Sequence, residues 1–502
     1  MQALSFLAEA AGIVLQPMNL FALVISTFFG LLVGMLPGLT STMAVALLTG
    51  LSFGLPHQTA LIVVISVYVG AVSGGCQSAI LLNIPGTPAS AATALDGYPM
   101  GQKGKAGLAI FLATFASFMG TMISVFCVLL LTPFLTDLAL EFTSPEFFLL
   151  ALFGIMICGS LASQGDTLKG WIAGLLGLLI AQVGLDTMWS VPRFSFGINK
   201  LIGGIQLIPI MIGLFGFPQI LGMFKKEDHK VLELTKFKLS EGFAILKKNV
   251  LNILRSAMIG VGVGVIPGVG EDTGGWLSYW AVKIEKKKEL DQFGKGHPSG
   301  IIAAETGNNS CIGGAIIPVI SLAVPGSTSA AVLLAAFQLH GYIPGPNLMN
   351  ESPDFLYKIS IYLAAAAVTM WLLSMVISKF SVKILGVKKE ILMPIIVTLC
   401  VVGSFVVRSM MFDVKLMFIF GLIGFVMFYV KLPAAPFLLG VILGNMADHK
   451  LRLTLQGSGG SLAPFFTRPI CIFFVIVIAF LACSQLGVFK YIAKKRAEKK
   501  AA

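Results

Sequence analysis

The sequence predicts an all-α polytopic membrane protein built as an inverted-topology repeat, with two re-entrant hairpins, two discontinuous helices and about twelve membrane segments. Three observations carry that expectation. Hydrophobic residues make up 56% of the 502 positions and charged residues only 12%, too little charge to cover a water-soluble protein of this length. Apolar runs at 107–131, 357–378 and 466–489 each reach the roughly 20 residues that a spanning helix needs. Finally, four Pro-Gly pairs interrupt apolar segments at matched places in the two halves of the chain.

The net charge of +12 collects in a few loops and in the tail KYIAKKRAEKK, flanking apolar spans as the positive-inside bias does. Nucleic-acid binding is therefore not expected. The start MQALSFLAEAAGIVLQ has no basic residue and one acidic one, so no cleaved leader is expected. Seven scattered Cys without a C-x-x-C pair read as small core hydrophobes.

The duplication is legible in the breaks. VGMLPGL around Pro37-Gly38 resembles VGVIPGV around Pro267-Gly268, and LLNIPGTPASAATALDGYP after Pro85-Gly86 resembles SLAVPGSTSAAVLLAAFQLHGYIPG after Pro325-Gly326. Residues 1–224 form a first repeat, 225–255 a basic connector, 256–490 a second repeat with a final helix, and 491–502 a basic tail.

Loop charge sets the relative direction of the repeats. DGYPMGQKGKAG carries two Lys where its counterpart GYIPGPNLMNESPDF carries none, and TPFLTDLALEFTSPEF carries none where SKFSVKILGVKKE carries four. Each pair differs as expected if one repeat is upside down, which is the pattern of secondary transporters. Connector and C-terminus then belong on the cytoplasmic side.

Pro removes a backbone donor and Gly admits angles closed to other residues. The second-half segment RSAMIGVGVGVIPGVGEDTGGWLSYWAVK has arms of ~11–13 residues, too short to span singly, and reads as a re-entrant hairpin. The later breaks read as discontinuous helices. A helix restarting after a break offers free N–H groups and a positive dipole end, which suit a carboxylate. The candidate substrate-binding residues are accordingly Gly38, Leu39, Thr40, Ser41, Asn83, Gly86, Thr87, Gly268, Gly270, Gly326, Ser327 and Thr328. Carbonyls and oxygens at Pro37, Thr42, Pro85, Pro267, Asp272, Thr273 and Pro325 are the candidate Na+ ligands, with Glu271 beside them. Within AAETGNNSC, Glu305, Asn308 and Asn309 share a helix face at i, i+3 and i+4. An intramembrane carboxylate of this kind is costly and is read as a coupling candidate.

Other signals carry little. GVGVGVIPGVG lacks the strand context and the Lys-Ser/Thr ending of a nucleotide loop. The five His show no metalloprotease spacing. Asp186 and the Asp of ASQGDTLKG fall in loops and read as solvated. No catalytic residue, no enzyme activity and no cofactor are expected, only Na+ or H+ as coupling ion.

The stretches GLLVGMLPGLTSTMAVALL, YVGAVSGGCQSAILLNIPGTPASAATALDGYPMGQKGKAG, AAETGNNSCIGGAIIPVISLAVPGSTSAAVLL and SGGSLAPFFTRPI resemble the large membrane subunit, TctA-type, of tripartite tricarboxylate transporters. The resemblance runs from about residue 20 to 470. Asn445 stands where the family pattern has Pro and Asp448 where it has Glu. The resemblance implies a bacterial inner-membrane permease working with a small four-helix-type membrane subunit and a periplasmic solute-binding protein. It implies import of tricarboxylates or related carboxylates driven by sodium or protons. A proton-coupled carrier is the alternative, and a non-transporting membrane scaffold or enzyme is the reading from a different class.

Overall fold

The computed structural model describes residues 2–162, 166–186, 188–218, 231–387 and 389–485. The tail at 491–502 and residues 225–230 of the connector lie outside the described residues. Among the described residues the regular structure is helical, apart from one two-stranded antiparallel hairpin pairing Gly184 with Arg193 and Leu185 with Pro192. Among the described residues five helices are long and apolar enough to cross a membrane, Pro17–Met35, His57–Leu82, Pro88–Leu140, Phe355–Leu385 and Met411–Tyr429, and a set of shorter apolar helices accompanies them. The protein is a multi-pass membrane protein.

Two compact units form, and each draws on both halves of the sequence. The first comprises Met1–Ala139 and Gln206–Val426, the second Leu140–Ile205 and Met427–Ala502.

In the first unit all four Pro-Gly pairs end a helix. Pro17–Met35 and Ser41–Leu51 form a first tip around Pro37, and Val250–Val265 and Gly270–Glu285 a second tip around Pro267. Gly38 and Gly268 sit at φ 94° and 74°, the left-handed region that glycine enters without a Cβ penalty. The arms of the second tip, at 16 residues each, are longer than the sequence suggested. Arg255 on one arm pairs with Glu285 on the other, so both charges lie inside the hairpin.

Two core helices, His57–Leu82 and Pro298–Leu322, end at the other two breaks. Both are buried along nearly their whole length, and each packs along the first arm of a tip. Small residues permit the approach: Gly30 and Gly34 face Val67–Ala71, and Gly260 and Gly264 face Gly307–Ala315. Such small-xxx-small seams let membrane helices meet backbone to backbone. The core helices terminate alike, on Asn83 (φ 60°) and Ala323 (φ 55°). Because Ala serves at one of these positions, the cap needs left-handed backbone and no polar side chain; Asn adopts it readily.

After the second tip the chain is clamped by Asp96. This buried carboxylate accepts from the N–H groups of Gly294 (2.8 Å), Gly296 (2.9 Å) and His297 (2.8 Å) and from the Tyr279 hydroxyl (3.0 Å). His297 lies 2.7 Å from Glu289, and this hydrogen bond, with Lys286 nearby, holds the Glu289 carboxyl below the usual carboxylate range.

In the second unit Ala434–Gly457 packs against both Ser144–Ala162 and Thr167–Ala181, and Pro469–Gln485 packs against Ser144–Ala162. Here Asp186 departs from its reading as a solvated loop residue. It is buried and paired with Arg452 (2.8 Å) and Arg193 (3.2 Å), while Asp448 takes the same two arginines at 3.1 and 2.9 Å. Two acids and two bases thus close a four-membered ring of ion pairs, invisible in sequence because its members are up to 266 positions apart.

Candidate functional site

The breaks are positioned by close backbone contacts within the first unit. Gly86 lies against the Gly34 carbonyl, with the Gly75 Cα 3.0 Å from where a Cβ would sit, and its N–H donates to the Gly75 carbonyl at 3.4 Å. Gly326 lies in the same way against the Gly264 carbonyl, with the Ala315 Cα at 2.9 Å. Each broken segment therefore presses on the first arm of a tip through a glycine.

The tips then meet the starts of the helices after the breaks. In the first, Thr40 caps its helix by accepting from the Met43 N–H (3.2 Å). The next two side chains reach the helix that begins at Thr328: Ser41 Oγ is 2.9 Å from Ser329 Oγ, and Thr42 Oγ1 is 2.8 Å from Thr328 Oγ1. In the second tip, the Gly270 N–H donates to the Gly326 carbonyl (3.2 Å), and the Glu271 carboxylate accepts from Ser327 (2.9 Å) and Tyr68. Ser327 also caps Thr328–Leu339, accepting from the Ala330 N–H at 3.0 Å.

A second polar cluster lies on the Pro298–Leu322 core helix. Glu305 accepts from Thr93, from Ser117 (2.8 Å) and from the Asn309 amide (3.3 Å). Ser73 donates to Asn309 at 2.5 Å, and Asn308 donates to the Ala89 carbonyl, beside the first break, at 3.1 Å. Both carboxylates are buried, Glu305 fully and Glu271 nearly so, and the partners named here are neutral hydroxyls and amides. Such donors satisfy the carboxylate oxygens without cancelling their charge. The site therefore holds two buried carboxyl groups and is rich in N–H donors where the helices restart.

Two hydroxyls at the first break have no hydrogen-bond partner although buried, Thr87 and Ser90. The oxygens of Thr87 and Ser90 both lie 2.6 Å from where a Gly75 Cβ would sit. Buried orphaned hydroxyls are rare in folded proteins, and these stand at the first break where an oxygen-seeking ion could bind.

The sequence-derived residues thus divide. Thr40, Ser41, Thr42, Gly86, Thr87, Gly270, Gly326, Ser327 and Thr328 lie at the tip and break contacts, with Leu39, Pro267 and Pro325 buried beside them and Pro37 and Pro85 half-buried. Glu305, Asn308 and Asn309 form one cluster. Two residues take other places: Thr273 donates to the Val269 carbonyl at the start of its helix (3.2 Å), and Asn83 is exposed and serves as the cap described above. Asp272, one helical step past Glu271, keeps solvent access although it lies deep among the surrounding atoms. Gly38 is exposed at the apex and Gly268 half-exposed. Sequence reasoning missed Tyr68, Ser73, Ser90, Thr93, Ser117 and Ser329. The signal that could have found Tyr68 is its isolation as the sole Tyr within the apolar run 57–82.

Comparisons with known proteins agree with this architecture. The family model of the tripartite tricarboxylate transporter TctA family matches residues 20–439. The chain is 31% identical over 497 residues to the uncharacterized 52.8 kDa protein in the TAR-I ttuC' 3' region of Agrobacterium vitis, covering 99% of this chain and 98% of that protein. It is 29% identical over 234 residues to the uncharacterized protein in the TAR-II ttuC' 3' region of the same organism, covering 47% of this chain and 96% of that protein. No solved structure matches. The chain belongs to the tripartite tricarboxylate transporter TctA family.

Proposed function

We propose that this member of a transporter family is the membrane subunit of a Na+-coupled importer of tricarboxylates or related small organic carboxylates. In this reading it lies in a bacterial inner membrane with its C-terminus cytoplasmic, is fed by a periplasmic solute-binding protein and works beside a small four-helix-type membrane subunit. The two repeats run in opposite senses through about twelve segments, the tips are re-entrant, and the breaks meet near the midplane. Catalysis and a cofactor have no part in it.

One observation carries the proposal: two tips and two broken helices bring hydroxyls and helix starts together, with two of those hydroxyls buried and unpartnered at the first break. Helix starts attract the carboxylates of the substrate. Since the acids at the site have neutral partners, a co-transported cation supplies the balancing positive charge. The membrane potential then contributes about 2.3 kcal/mol per net charge per 100 mV.

Uptake of labelled citrate into proteoliposomes holding the chain and its two partners tests this, comparing sodium and proton gradients at matched potential. Uptake driven by sodium alone is expected. Uptake driven by protons alone would replace sodium with a proton carried on Glu305 or Asp272, the alternative reading. At the residue level, Thr87→Val is expected to raise the sodium concentration for half-maximal uptake about tenfold, ~1.4 kcal/mol, with expression unchanged. An unaltered sodium dependence would remove Thr87 from the ligand set.

A further inference from the structure

The hairpin at 184–193 and the residues that follow it present a run of exposed apolar side chains: Leu185, Trp189, Val191, Phe194, Phe196 and Ile198, with Phe196 81% exposed. By position this is a loop, and a loop of this kind normally reaches water. Three features of the second unit place it elsewhere.

The first is length. Thr167–Ala181 has 15 residues, about 22 Å of helix at 1.5 Å per residue, against a hydrocarbon core of about 30 Å. Its neighbour Ala434–Gly457 has 24 residues, about 36 Å, and its apolar stretch ends near Ala447, beyond which Asp448, Lys450 and Arg452 mark the level of the headgroups. The two start at one level, since Lys169 reaches the Val430 carbonyl (3.1 Å), and run alongside through Gly177 against Phe437 and Gly440, to Gln182 donating to the Gly444 carbonyl (3.3 Å). The short helix therefore stops while the long one continues, and the hairpin stands beside the continuation.

The second is continuity. Leu168, Ile172, Leu175 and Leu179 are exposed on one face of the short helix, spaced at four, three and four residues as a lipid-facing stripe is. The exposed Leu185 and the rings follow directly after its end.

The third is the root. Arg193 of the hairpin and Asp186 beside it are tied to Asp448 and Arg452, one and two turns past Gly444 on the long helix, and Arg193 also donates to Gln182 at 2.6 Å. Acids and bases balance in number. Two bulky residues, Phe194 (φ 45°) and Phe196 (φ 48°), are held in left-handed backbone, which such side chains enter only when the surroundings enforce it.

We infer that the 184–198 hairpin is a lipid anchor, with Trp189, Phe194 and Phe196 seated at the boundary between acyl chains and headgroups, where Thr167–Ala181 ends. Trp and other amphipathic or aromatic rings collect at that depth, and the paired charges of the root suit the headgroup level.

Depth-dependent fluorescence quenching tests the assignment. The full chain and its Trp189→Phe variant are placed in phosphatidylcholine vesicles with plain or upper-acyl-brominated chains, and the difference between their emissions isolates Trp189. The Trp189 component is expected to fall by more than about twofold in the brominated vesicles, as an interfacial ring should, and to resist aqueous iodide. A component quenched by iodide and indifferent to brominated lipid overturns the proposal. Should Trp189→Phe fold poorly, a spin label on Phe196→Cys gives the same answer: collisions with oxygen exceeding those with a water-soluble nickel chelate support the anchor, and the reverse overturns it. Shielding from iodide that appears only when a partner polypeptide is added also overturns it, making the loop a protein-docking surface.

Discussion

A Gly326→Ala chain is expected to melt at a lower temperature and to lose most of its carboxylate uptake. The glycine has an ordinary backbone conformation that alanine could adopt, so the effect is purely one of space. A Cβ there meets the Gly264 carbonyl and comes within 2.9 Å of the Ala315 Cα, neither of which is a flexible side-chain end. Overpacking of this kind costs about 1–3 kcal/mol, of order tenfold in the population of the native arrangement. The strain falls on the contact between second break and second tip. Gly86→Ala should behave alike through the Gly34 carbonyl. Gly262→Ala is the control, since nothing lies within 4 Å of its Cβ position, and its uptake should stay near that of the parent chain. Equal loss in all three would mean that helix glycines matter here for something other than contact at the breaks.

Asp186→Ala is expected to be the more damaging for stability. It leaves Arg193 and Arg452 sharing Asp448 alone; because both arginines are part-exposed, the cost approaches about 3 kcal/mol, the lower end for breaking a fully buried pair. A thiol-reactive dye reads the melting directly, because six of the seven cysteines are buried and react only as the fold opens. Replacing Asp186 and Arg452 together, by Leu and Met, should recover much of the loss, because excess charge does the damage. A double variant no more stable than the single one would show that the ring is needed for its geometry.

The breaks were legible in the sequence because Pro and Gly act locally: whatever surrounds them, a helix cannot run through Pro37-Gly38 or Pro325-Gly326 unchanged. The Glu305, Asn308 and Asn309 face was legible for the same reason, since helical spacing decides it. Other features depend on partners remote in sequence. Telling the surroundings of Glu271 from those of Asp272 requires the phase of a helix whose start is set by the tip itself. Tyr68 gains its role only by meeting Glu271, 203 positions on. Ser73, Thr93 and Ser117 look like ordinary small polar residues of membrane helices until Glu305 or Asn309 is placed against them. The length of the second tip was hidden because Arg255 and Glu285 cancel each other inside it.

The polarity of the Pro298–Leu322 helix bears on how the protein is made. Glu305, Thr306, Asn308, Asn309 and Ser310 all fall within it, and a charged side chain at mid-helix disfavours insertion by about 2.5–3.5 kcal/mol on its own. Its counterpart His57–Leu82 has a mean hydropathy of 2.0 and needs no help to enter. The side chains that satisfy Glu305 and Asn309, from Ser73, Thr93 and Ser117, all leave the ribosome earlier. The first half of the chain is thus the receptacle into which the second is inserted, and order of synthesis becomes part of the folding instruction: a chain permuted to begin with its second half would present this polar helix before anything in the bilayer could receive it.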